Sequence, residues 1–99
     1  MTEYARLPKS VRSSAGPVPV RVVRNLTTPG NPNEKLMGYF DASKREILIC
    51  AGMARHAQWL TLRHEQVHAL LSDAGVRLRI ETEERIADVI AAGWVNDAG

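Results

Sequence analysis

The chain contains a single cysteine, Cys50, so a disulfide within it is impossible and a reducing compartment is its simplest home. No apolar run approaches membrane-spanning length, and the opening MTEYARLPKSVRSS lacks the apolar centre of a signal peptide. These absences predict a soluble cytoplasmic protein with no membrane partner. The formal net charge is only +2, which gives nucleic acid little to attract it. There is no internal repeat and no low-complexity segment, and 99 residues suffice for one domain but not for two.

What is present is ordinary for a globular domain: 44% apolar and 24% charged residues. The charge is uneven, because Arg6, Lys9, Arg12, Arg21 and Arg24 face only Glu3 in the first 24 residues. Residues 1–17 have turn-forming residues and no apolar period, and so predict a flexible basic arm ahead of a compact domain at 18–99. The sharper reading of that arm is a contact with nucleic acid or an acidic partner. Val18, Val20 and Val22 alternate as in a strand, which Pro19 pushes toward a sheet edge. Residues 25–35 read as a loop. Leu36–Phe40 and Glu46–Cys50 read as strands of a hairpin turned at 41–45. A helix is predicted from Ala54 to Ala74, stopped by Gly75, and a second from Thr82 to Trp94. The pattern is α+β.

Chemistry concentrates at His64-Glu65-Gln66-Val67-His68, an H-E-x-x-H pattern inside the first helix. Histidines four apart lie one turn apart on one face, so both imidazoles can hold one metal ion. A glutamate beside the first histidine is rotated by about 100° and can reach water at the metal without ligating it. Projection gives an apolar stripe of Trp59, Leu60, Val67, Leu70 and Leu71, with His64 and His68 at its border. A catalytic zinc site normally takes three protein ligands. His56 lies too far along the axis to be the third, and Cys50 reads as a small buried hydrophobe. Glu84 and Asp88, four apart at the border of the second helix's apolar stripe, are better placed, whereas Glu83 projects nearer the middle of that stripe. Packed side by side, the helices would bring Glu84 to the metal and Asp88 to a ligating histidine.

Gly38-Tyr39-Phe40, Ile47-Leu48-Ile49, the segment Leu60 to His68, and Glu84-Arg85-Ile86-Ala87-Asp88 resemble the ImmA/IrrE group of small H-E-x-x-H zinc metalloproteases over residues 36–92. The last segment also resembles the E-x-x-x-D pattern of gluzincins. The resemblance implies a zincin-like α+β fold, with a small antiparallel sheet beside an active-site helix and a C-terminal glutamate helix. It implies Zn2+ held by His64, His68 and Glu84, Glu65 as general base, and Asp88 as an outer partner. It further implies a bacterial or phage setting and a protein or peptide substrate such as a helix-turn-helix regulator. Arg63 and Cys50 depart from the group's usual residues. Tyr39 and His56, with Tyr4 and Arg63, are candidates for contacting substrate or its oxyanion. The rival reading is a zincin scaffold serving as a binding module for a protein or nucleic acid, or held latent by its arm or by Cys50.

Overall fold

The computed structural model describes residues 4–98. Its elements are β1 (Ser10–Ser13), β2 (Gly16–Val23), β3 (Thr27–Thr28), β4 (Asn31–Lys35), β5 (Gly38–Asp41), β6 (Glu46–Cys50), α1 (Arg55–Asp73) and α2 (Ile80–Ala98). The architecture is α+β: a four-stranded sheet in the order β1-β2-β6-β5, a separate β3-β4 ribbon, and two helices. The ribbon occupies the segment expected to be a loop.

The sheet is mixed, which corrects the expectation of an antiparallel one. β1/β2 and β5/β6 are antiparallel, but β2 and β6 run parallel from the Val20–Ile47 pair to Val23–Cys50. The ribbon and β5 intervene between them, long enough a connection to return the chain for a parallel entry. Pro19 therefore lies in an interior strand. It is tolerated because its half of β2 pairs with β1 and precedes the stretch that β6 reaches.

The arm expected over 1–17 is also corrected. Residues 10–13 form a strand, Val11 is buried in the core, and Val20 N–H donates to the Lys9 carbonyl at 2.8 Å. Further back, Trp59 Nε1 donates to the Ala5 carbonyl at 2.7 Å, and the Tyr4 ring lies 5.1 Å from that of His56. The segment straps along α1, and its first three residues lie outside the described region.

The hairpin between β5 and β6 is fixed by Asp41, whose Oδ1 accepts from the backbone N–H groups of Ser43 and Lys44. Arg45, at φ 54°, closes it. Its guanidinium donates to both carboxylate oxygens of Asp73 at 3.0 and 2.6 Å and to the carbonyls of Pro17 and Gly16 at 2.7 and 3.0 Å. One side chain thus ties the hairpin to the end of α1 and to the β1-β2 turn.

α1 ends where Gly75, at φ 72°, lets Val76 N–H reach back to the Leu71 carbonyl at 2.9 Å. α2 starts two residues before Thr82, since Glu83 N–H already donates to the Arg79 carbonyl at 2.9 Å. α1 lies on β1, β5 and β6, and α2 packs on α1. The core joins Val11, Val18, Ile47, Ile49, Leu62 and Ala69. Two glutamines interrupt the sheet-facing row of α1, Gln58 and Gln66, and both are buried. Gln66 is satisfied on both ends: Nε2 donates to the Arg12 carbonyl at 2.8 Å and Oε1 accepts from Arg63 Nη1 at 2.6 Å. No helix among the described residues is long and apolar enough to cross a membrane.

Candidate metal centre

The site is built between the middle of α1 and the first half of α2. His64 and His68, one turn apart, aim their Nε2 atoms at each other across 3.1 Å. Glu84 of α2 lies over both: its Oε2 is 3.0 Å from His64 Nε2 and its Oε1 is 2.9 Å from His68 Nε2. The ligand atoms of these three residues all fall within 4.8 Å of one another.

The outer nitrogens are occupied. His64 Nδ1 is 2.8 Å from Asp88 Oδ1, and His68 Nδ1 is hydrogen-bonded to Glu83 Oε2. An ionised carboxylate only accepts, so in neutral rings a proton on Nδ1 serves Asp88 and Glu83 and leaves each Nε2 a lone pair toward Glu84. Both lone pairs then face each other and a carboxylate, with no proton among them. Such a group of acceptors is repulsive unless a cation lies at its centre. Ligands about 2.0–2.1 Å from a tetrahedral zinc lie roughly 3.3–3.4 Å apart, close to the spacing here. The residues fit a metal ion by donor chemistry and by distance.

Glu65 points to neither Nδ1 and lines the open side of the site. Burial pushes its carboxyl above the ordinary glutamate value; His64 and His68 oppose this, Glu84 adds to it, and the backbone N–H of Phe40 draws it down. That N–H belongs to β5, an edge strand that lies against α1 because residue 38 is glycine. A Cβ there would collide with Thr61 Cγ2 and sit 3.3 Å from Glu65 Cγ. Gly38 therefore sets the closeness of the strand to the proposed base.

Arg63 belongs to the packing between helices. Its guanidinium lies 5.0 Å from the Trp59 ring centre and 4.2 Å from that of Trp94, which joins α2 to α1 one residue from His64. Burial lowers its pKa. This accounts for an arginine projecting toward the apolar side of α1.

The structure brings together His64, His68, Glu84, Glu65 and Asp88. Tyr39 lines the groove beside them. His56 is corrected as a site residue. It is exposed two turns from His64, about 12 Å along the axis, against Tyr4 and lining neither depression at the centre. Cys50 lies elsewhere, in a depression with Arg24, Leu26 and Lys35. Glu83 is the residue that projection underrated, and its bond to His68 Nδ1 makes it the counterpart of Asp88. No protein-family model, curated protein or solved structure matches this chain.

Proposed function

We propose that the chain is a zinc-dependent metallopeptidase that hydrolyses peptide bonds of a protein substrate. The observation that carries this reading is the convergence of His64 Nε2, His68 Nε2 and Glu84 on one point, with Glu65 beside it in an open groove. A zinc ion held there supplies Lewis acidity toward a scissile carbonyl and toward water.

The chain's own residues do the rest. Asp88 and Glu83 hold the imidazoles in the Nδ1–H tautomer and fix their orientation. Glu65 takes a proton from the attacking water and returns it to the leaving amine; its raised pKa suits both transfers. The free edge of β5 offers backbone groups to an extended substrate beside Glu65. The motif's likeness to the ImmA/IrrE group makes a bacterial or phage regulator a suitable first substrate to try.

Glu65→Gln tests the assignment. Glutamine keeps the shape but cannot accept the proton, so cleavage should fall by about 10²–10⁴-fold while zinc content stays at one per chain. Cleavage of a confirmed substrate at the unmodified rate, or loss of zinc from Glu65→Gln, would remove the mechanism.

A further inference from the structure

Two depressions flank the metal centre, of about 510 and 530 Å3, and they share Leu36, Gly38, His64, Glu65 and Glu84. They are the two arms of one groove that follows residues 36–42 along the free edge of β5. The first arm ends on Phe40, Ala42, Ser72 and Ile80. The second ends on Met37, Leu60, Thr61, Ala91 and Ala92. Each arm has the volume of an ordinary ligand pocket, and both walls are mainly apolar. Among the described residues no lysine or arginine lines either arm, while Glu65, Glu83, Glu84 and Asp88 do. Four carboxylates exceed the charge of one divalent cation, so the groove stays negative in a chain whose formal net charge is +2.

We infer that the groove selects an extended peptide in which the side chains on both sides of the scissile bond are apolar, with basic residues tolerated and acidic ones rejected. The inference rests on the metallopeptidase reading and names its substrate class. Arms on both sides of the centre suit an internal bond rather than a chain end. Ala92 sets the size limit in the second arm. Its position is exposed on α2, and a larger side chain there would narrow the arm. Ile80, 65% exposed, sets it in the first. Acidic side chains meet like charge in both arms, the arrangement that proteins use to turn partners away.

The experiment uses zinc-loaded Glu65→Gln, which holds peptides without turning them over, and fluorescein-labelled peptides read by anisotropy. Peptides carry apolar, basic or acidic residues at the positions flanking a fixed central bond. Acidic flanks should weaken binding by about tenfold or more relative to apolar ones. Ala92→Phe should abolish tolerance of large side chains on one flank only, Ala92→Leu should do so partly, and Ile80→Ala should relax the limit on the other flank. The graded pair at Ala92 keeps the test informative should the larger substitution disturb the fold. Acidic flanks binding as well as apolar ones, or Ala92 variants that alter both flanks equally or neither, would overturn the inference. Cleavage of the same peptides by the zinc-loaded unmodified chain is measured alongside. Selective binding without cleavage sinks the peptidase reading and leaves the groove's selectivity standing. Cleavage indifferent to the flanks does the reverse.

Discussion

Two polar clusters sit at different points along α1, and they are built on opposite principles. At its C-terminal end, Arg45 meets Asp73 and two backbone carbonyls, and each guanidinium nitrogen donates to a protein acceptor. In its middle, His64, His68 and Glu84 bring acceptors against acceptors, with the available protons already committed outward to Asp88 and Glu83. The first cluster is complete with protein atoms alone and acts as a staple. The second, with neutral rings, presents lone pairs that a cation would complete. A saturated cluster and an unsaturated one can thus be told apart by counting donors and acceptors, before any chemistry is assigned.

The contrast breaks most visibly at the inner ligands. His64→Ala, His68→Ala and Glu84→Ala should each lower zinc affinity by more than about 100-fold, beyond the range for outer partners. Competition with a chromogenic chelator reads this out, and an affinity unchanged in any one variant removes that residue from the ligand set. The outer carboxylates come next. Glu83→Ala and Asp88→Ala should each cost about 10–100-fold. Glu83 should cost more, because its side chain is 20% exposed against 73% for Asp88 and its bond is better shielded from water. A larger loss for Asp88→Ala would reverse that ranking.

The smallest effect concerns the staple, and it should leave zinc untouched. Arg45 holds Asp73 well below the usual carboxylate range, so its folded pKa lies under its unfolded one. The stability that this contributes is complete above the ordinary aspartate value of about 4 and is lost as pH falls through the depressed folded value. Asp73→Asn should lower the melting temperature at neutral pH by several degrees and flatten the loss of stability on acidification. Thermal unfolding between neutral pH and pH 2 measures both. An identical acid limb in the two proteins would show that another carboxylate governs it.

The site was legible in the sequence where spacing alone fixes geometry. His64 and His68 four apart on a helix must share a face, and Glu84 and Asp88 repeat that spacing on the next. Glu83 escaped because projection assigns one angle to each residue and ignores what the partner helix needs. A signal was there: with Asp88 serving one histidine, the other still lacked an orienting carboxylate. The strap was illegible for a different reason. It buries one valine, Val11, packs Leu7 half-buried beside it, and docks besides through polar contacts, among them the carbonyls of Ala5 and Arg12 received by Trp59 and Gln66 and the Ser14 hydroxyl on Leu70, which leave no apolar period in the strap's own residues. The strap's Arg12 carbonyl accounts for Gln66 in the sheet-facing row of α1, where Gln58 is the second polar residue, so the apolar stripe of Trp59, Leu60, Val67, Leu70 and Leu71 missed the fully buried Leu62. The parallel β2-β6 pairing depends on how the intervening chain returns, which no local period encodes.

Among the described residues, the carboxylates that touch the two histidines all come from α2, and both histidines come from α1. A bound ion therefore acts as a crosslink between the helices, at the end of α2 opposite the Arg63–Trp94 contact. Filling the site couples metal availability to the domain's cohesion: at a free concentration 1,000 times the dissociation constant, mass action adds about 4 kcal/mol. A fold of this size has little core to spare, so on the proposed function loss of the ion would loosen α2 as it empties the site, and the domain's lifetime would follow the metal supply.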